Sequence, residues 1–221
     1  MTLEQEISKL FAVYPQVLYG YAGTAYCEFG QKYPSVLVFA VPYSKQLTLL
    51  NYKEPDFEQG IQDARAVLEE ILEQLERILR ASGTAYEIPP VGRKSEAELE
   101  ALFSFKFAAV NAGLGWIGKN DVVITEQYGP RVRLSAVFID AVMPYGTSVT
   151  KSKCPDSCRK CVDICPCKAL HNVSWDIETW RSDIIDYEAC NQKRSQYIET
   201  HGRMNSCGLC LVVCPFGTKQ Q

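Results

Sequence analysis

Histidine is scarce in this chain, with two residues among 221. A basic surplus is missing as well: 23 Lys and Arg stand against 26 Asp and Glu, for a net charge of −3. Non-specific nucleic-acid binding needs a strong positive surplus, so the composition counts against it. No apolar run approaches the ~18–20 residues that span a bilayer. The opening MTLEQEISKL lacks the basic and apolar regions of a secretory signal. The expectation is a soluble, cytoplasmic protein with no membrane partner. Apolar residues make up 47% and charged residues 22%, which excludes a disordered chain. The length allows one large domain or two small ones.

Cysteine is also missing from most of the chain. Of ten cysteines, only Cys27 precedes residue 150, and the other nine lie between Cys154 and Cys214. In a reducing cytosol such a cluster points to metal ligation or redox chemistry, not to a disulfide framework. Charge divides at the same place: residues 151–221 carry a net +2 and residues 1–150 a net −5. The polar stretch Tyr145-Gly146-Thr147-Ser148 marks a boundary, giving an α/β domain over 1–147 and a cysteine domain over 148–221. No repeat of solenoid period is present.

The first part alternates helix and strand signals. Leu3 to Val13 reads as a helix, and Ser35 to Val41, between Pro34 and Pro42, reads as a buried strand. Ile61, Ala64, Leu68, Ile71, Leu72, Leu75, Ile78 and Leu79 recur at helical spacing and predict a long amphipathic helix ending near Ser82-Gly83. Leu102 to Ala112 predicts another helix, stopped by Gly113. Asp121 to Thr125 and Val132 to Ile139 read as strands joined across Tyr128-Gly129-Pro130. The pattern is a mixed α/β or α+β layer domain.

The cysteines form two half-motifs. The first is Cys154-x3-Cys158-x2-Cys161-x3-Cys165-Pro166, the second Cys207-x2-Cys210-x3-Cys214-Pro215, and Cys190 stands between them. The bacterial ferredoxin run is C-x2-C-x2-C-x3-C-P, and its fourth cysteine serves the other cluster. A cubane needs four thiolates, so eight cysteines fit two 4Fe–4S clusters. The crosswise assignment gives Cys154, Cys158, Cys161 and Cys214 to one cluster and Cys165, Cys190, Cys207 and Cys210 to the other. Zinc is the competing reading, but zinc knuckles do not need the paired x3-Cys-Pro tails. Cys27 reads as a small buried hydrophobe. Cys167, two residues past Cys165, reads as a non-ligand. His171 and His201 read as surface or supporting residues. Lys151, Lys153, Arg159, Lys160, Lys168, Lys193, Arg194 and Arg203 surround the ligands in sequence. They either offset cluster charge or form a solvated face that docks an acidic electron donor such as a flavodoxin or ferredoxin.

Gly113-Leu114-Gly115-Trp116-Ile117-Gly118-Lys119-Asn120 has the G-x-G-x-x-G spacing of a dinucleotide fingerprint. It follows a helix and precedes a strand, which is the wrong context for one. Its glycines let a backbone approach a ligand closely. Trp116, Phe103, Phe105 and Phe107 are candidates to line an apolar cofactor cavity or simply to fill a core. Lys119 is a candidate to anchor a cofactor's amide or phosphate, or to cap local structure.

The element AGLGWIGKN at 112–120, together with Cys158-x2-Cys161-x3-Cys165-Pro, Cys190 and Cys207-x2-Cys210-x3-Cys214-Pro, resembles the epoxyqueuosine reductase family. The stretch Tyr128-Gly129-Pro130-Arg131-Val132-Arg133-Leu134 looks like its counterpart in the reductive dehalogenases. The resemblance implies a nitroreductase-like α/β domain that binds cobalamin, followed by a ferredoxin-like domain with two 4Fe–4S clusters. It places Gly113, Leu114, Gly115, Trp116, Gly118, Lys119 and Asn120 near the corrinoid. It also implies a cluster that feeds electrons to cobalt, and a tRNA substrate carrying the queuosine precursor.

The chain departs from that family in three places. The family's acidic V-D-S-A-P-like segment is replaced by residues 97–106, where Glu98 and Glu100 are the only carboxylates. Its D-Y-H-like segment corresponds at best to Asp56-Phe57-Glu58. The sequence also stops seven residues after Cys214, without the helical repeats that help full-length members hold tRNA. With the net charge of −3, this favours a smaller substrate over tRNA, and no catalytic residue is assigned. The alternative is a low-potential ferredoxin-like electron carrier serving a partner enzyme or corrinoid protein.

Overall fold

The computed structural model describes residues 1–90, 103–193 and 207–218. It is a mixed α/β protein. Two compact units interleave along the chain. The first comprises residues 1–41, 65–114 and 133–149, and the second residues 42–64, 115–132 and 150–221. One crossing therefore falls between Val149 and Thr150, two residues from the boundary read in the sequence. The others carry residues 42–64 and 115–132 into the unit that holds the cysteine motifs.

The first unit is organised on a four-stranded sheet of order β1-β2-β6-β3, with β1 Leu18–Gly23, β2 Ser35–Pro42, β3 Tyr86–Glu87 and β6 Val132–Ile139. β1 and β2 pair antiparallel, Leu18 opposite Ala40 and Gly23 opposite Ser35. Every residue of β2 from Ser35 to Val41 is buried, as expected of a continuous apolar run covered on both faces. Helix α1 (Leu3–Ala12) starts on a capping box, in which Thr2 and Gln5 satisfy each other's backbone amides. Its Phe11 ring stacks on Tyr19 with centroids 4.1 Å apart. Helix α2 (Glu54–Ala81) begins a full two turns before the first residue of the apolar stripe, and Leu68, Ile71, Leu75 and Leu79 are buried along it. Helix α3 (Phe105–Asn111) is shorter than its sequence signal because Ser104 caps it, accepting from the Phe107 amide. Phe103 therefore lies before the helix. It is buried against Phe138, with ring centroids 4.8 Å apart, so it is core and not a cavity wall. Phe105 and Phe107 are half-buried.

The second unit contains a two-stranded sheet of β4 (Trp116–Ile117) and β5 (Val123–Ile124), paired antiparallel. This corrects one expectation. The strands on either side of Tyr128-Gly129-Pro130 do not pair with each other: β5 pairs with β4, and β6 pairs with β3. Gly129 instead bridges back to Thr125. The remainder of the unit is short helices and loops, among them α4 (Lys160–Ile164), α5 (Arg181–Ile184) and α6 (Leu209–Val212). A small apolar cluster of Cys165, Ala169, Leu170 and Ile185 underlies them. Among the described residues no helix is long and apolar enough to cross a membrane.

Candidate metal centre

Cys154, Cys158, Cys161 and Cys214 line one cavity of the second unit, together with Lys119, Asn120, Ile124, Lys160, Pro215 and Phe216. Its space not filled by protein atoms is ≈ 320 Å³, part of it open to solvent. The first three thiols come from the loop leading into α4 and from α4 itself, and the fourth from the turn after α6. Burial, reinforced by the neighbouring Cys154, Cys214 and Cys158, pushes the Cys161 thiol up to about 11. Burial also pushes Cys214 to about 11. Desolvation and neighbouring thiols raise both groups, and the nearby Arg131 offsets part of the rise at Cys214.

A second group surrounds Cys210, whose thiol burial pushes well up. The neighbours that reinforce the shift are Cys207, Cys190, Cys161 and Cys165. Cys165 is buried, with Cys190 and Cys210 packed against its cluster. Cys154, Cys158, Cys161 and Cys214 thus share one cavity, and Cys165, Cys190 and Cys207 stand among the neighbours of Cys210, together with Cys161. Among the described residues, no three His, Cys, Asp or Glu side chains converge on a point that would grip a single metal ion.

Of the remaining sulfur and nitrogen candidates, Cys27 is half-buried and not buried as expected, and Cys167 lies beside Cys165. Cys27 Sγ donates to the Thr24 carbonyl at 3.4 Å. Cys167 Sγ is 3.6 Å from Cys165 Sγ. His171 is exposed, its Nδ1 3.2 Å from the Asp183 carbonyl. His201, Glu98 and Glu100 lie outside the described residues. Of the D-Y-H-like segment, Asp56 pairs with Lys45 at 2.7 Å, and this lysine holds its carboxyl below the usual range. Phe57 is buried, and Glu58 accepts from Gln62.

The glycine element joins this site more closely than its spacing suggested. Gly113 is exposed and Leu114 half-buried, whereas Gly115 to Asn120 are all buried. A Cβ on Gly115 would run into the carbonyl oxygen of Ile124. The glycine thus permits the close approach of β4 to β5, and not the approach of a ligand. Trp116 is fully buried, its ring edge-on to Phe216 at 5.0 Å, and its Nε1 has no hydrogen-bond partner among the described residues. Lys119 Nζ donates to the carbonyls of Pro155, Asp156 and Cys158 and to Asn172 Oδ1 at 3.0–3.3 Å. Asn120 Nδ2 donates to the Cys210 carbonyl at 3.1 Å. Both polar side chains thus hold the cysteine loops.

Arg131 was visible in the sequence only as part of a family-like stretch, and no role was assigned to it. It is 1% exposed. Its guanidinium donates to the carbonyls of Leu47 (3.0 Å), Phe216 (2.8 Å), Val212 (3.1 Å) and Cys214 (2.8 Å). Burial pulls its pKa below the usual guanidinium value. Gly129, at φ 57°, lets the Tyr128-Gly129 turn lie directly on the Phe216 carbonyl, which a side chain there would strike. A buried arginine two residues after a glycine turn is the signal that points to this role.

Comparison with known proteins places these features. An epoxyqueuosine reductase of Listeria monocytogenes is 28% identical over 197 residues, covering 82% of this chain and 48% of that protein. A tetrachloroethene reductive dehalogenase of Sulfurospirillum multivorans is 34% identical over 124 residues, covering 49% of this chain and 22% of that protein. The chain resembles the epoxyqueuosine reductases and the reductive dehalogenases. It spans half or less of the length of these curated relatives. No family model matches it. Its fold is that of an epoxyqueuosine reductase from Bacillus subtilis, at a TM-score of 0.63 and 16% identity over 99% of this chain and 67% of that one. It is also that of a reductive dehalogenase, at a TM-score of 0.65 and 17% identity over 97% of this chain and 31% of that one.

Proposed function

We propose that this chain is an iron–sulfur redox protein with two 4Fe–4S clusters that serves cobalamin-dependent reduction of the epoxyqueuosine reductase type. Cys154, Cys158, Cys161 and Cys214 hold one cluster; Cys165, Cys190, Cys207 and Cys210 hold the other. The observation that carries this reading is the exchange of cysteines. Cys214 of the second half-motif lines the cavity of the first three, while Cys165 of the first is among the neighbours of Cys207 and Cys210. Such an exchange is what a ferredoxin-type segment uses, and it supports a ferredoxin-like assignment here. The donor set fits: four thiols around a volume, with Phe216 in its wall, match a cubane better than a single tetrahedral ion. When bound, the clusters supply one-electron storage at low potential. The chain's own contribution is to fix the thiols, exclude water from them and offer carbonyl-bound cations nearby.

The corrinoid is proposed from the sequence relationship and from the nitroreductase-like reading of the first unit. Gly115 to Asn120 do not fit as its cradle, because Ile124 and the cysteine loops occupy their contacts. Gly113 and Leu114 are the accessible members of the element. That same fact favours the second reading, a low-potential electron carrier that receives electrons from a flavodoxin or ferredoxin and passes them to a partner. One protein of this fold has been solved with an epoxyqueuosine-modified tRNA-Tyr stem loop, with a TM-score of 0.62 over 98% of this chain and 66% of that one. Modified tRNA is therefore a substrate class to test beside a small molecule, although the net charge of −3 favours the latter.

The deciding experiment is anaerobic reconstitution followed by titration with cob(II)alamin. About eight irons per chain are expected from eight ligating thiols. A one-to-one spectral shift to the base-off form supports the reductase. No shift at micromolar protein, with both clusters present, leaves the electron carrier. Absence of iron and sulfide overturns both.

A further inference from the structure

Two cations are buried in the second unit without a carboxylate. Lys119 is 3% exposed and Arg131 1% exposed. Among the described residues neither forms an ion pair, and all their partners are carbonyl or amide oxygens. Burying an unpaired cation is costly, and carbonyl dipoles offset only part of that cost. Their placement follows the two loops that meet at one cavity. Lys119 lines the cavity with Cys154, Cys158, Cys161 and Cys214, and it grips the carbonyls of Pro155, Asp156 and Cys158. Arg131 grips those of Val212, Cys214 and Phe216. Each cation therefore ties down one of the two segments that supply thiols to this cavity.

We infer that Lys119 and Arg131 are positioning residues for the cluster held by Cys154, Cys158, Cys161 and Cys214, and that their charge favours its reduced form. The inference rests on the two-cluster reading above. A cubane with four thiolates carries about two negative charges when oxidised and one more when reduced. Two fixed cations in a low-dielectric surround stabilise the added electron, and being bound by carbonyls they need not reorganise when it arrives. Lys153 and Lys160 near the same cavity are different in kind. Lys153 is paired with Glu126 at 2.7 Å and half-exposed, and Lys160 is exposed, so solvent screens both.

The test is an EPR-monitored redox titration of the reconstituted full chain and its Lys119→Gln, Lys119→Arg, Arg131→Gln and Arg131→Lys variants. Glutamine keeps donors for the carbonyls and removes the charge. Either glutamine variant should move the midpoint potential of one cluster to more negative values and leave the other cluster in place. The charge-keeping variants should stay near the wild-type value. If a glutamine variant fails to assemble while its charge-keeping counterpart assembles, the charge is needed to hold the cluster, which supports the inference. An unshifted potential with full iron content in both glutamine variants overturns it. So does equal failure of all four variants, which would leave only loop bracing. A wild-type chain that takes up no iron and sulfide refutes the two-cluster reading itself, and iron counting separates that result from the others.

Discussion

Tyr52 Oη donates to the carbonyl of Cys207 at 2.6 Å, a bond that spans 155 positions of sequence. It ties the segment before α2 to the start of the second cysteine motif. Tyr52→Phe removes the donor and leaves a partly buried carbonyl unpaired. The expected loss is about 1 kcal/mol of folding stability, read from the urea midpoint of the metal-free chain. Faster loss of iron from the reconstituted protein is expected as well, because local folding and ligand binding are linked at such sites. An unchanged midpoint and an unchanged rate of iron loss would mean that this bond carries no weight in solution.

Gly60 and Gly115 should respond to alanine with opposite signs. Gly60 lies inside α2, and a Cβ there meets Tyr43 at 3.6 Å, an ordinary contact. Gly60→Ala should stabilise by roughly 0.5–1 kcal/mol through helix propensity and a less free unfolded chain. Gly115→Ala forces β4 away from the Ile124 carbonyl and should destabilise by at least ~1–3 kcal/mol. Thermal denaturation of the two variants side by side checks both signs. A neutral Gly115→Ala would contradict the close strand approach.

The elements with long, regular signals were legible: the β2 run between prolines, the apolar stripe of α2 and the cysteine spacings. β3 is two residues long, too short for any periodicity to announce. β1 contains two glycines and two tyrosines in six residues, which blurs its alternation. Joining the segments around Gly129 into a hairpin failed because each segment finds its partner elsewhere in the sequence, and local turn chemistry does not record that. The glycine spacing suggests close approach to a ligand, whereas at Gly115 the missing Cβ makes room for the Ile124 carbonyl. The roles of Lys119 and Arg131 depend on carbonyls 36 to 85 positions away, so the sequence shows the residues without their partners.

The thiols give the metal-free chain a pH dependence of definite sign. Cys161 and Cys214 titrate near 11 when folded, against an ordinary value of 9.0. The folded state therefore holds these protons more tightly than the unfolded state. Their contribution to stability is complete below pH 9 and is lost as pH rises through 11. Denaturant midpoints of the metal-free protein should fall across that window. After reconstitution the thiolates are ligated, so the fall attributable to them should vanish, and loading at neutral pH should release protons. A metal-free midpoint that is flat from pH 8 to 11 would show that these thiols are not buried together.

Cys165 and Cys167 offer the sharpest test of the ligand assignment, because only Pro166 separates them and their sulfurs are 3.6 Å apart. Cys165 is buried, whereas Cys167 is half-buried at the edge of the same apolar cluster. Cys167→Ser should keep about eight irons per chain. Cys165→Ser should lose about half of them, or take the surrounding loops with the cluster, unless the neighbouring sulfur substitutes. Substitution is open to measurement. If Cys165→Ser retains its iron and the double variant Cys165→Ser/Cys167→Ser does not, Cys167 acts as a reserve ligand. Loss of a cluster in Cys167→Ser alone would exchange the two in the ligand set and move the crossing point between the clusters by two residues.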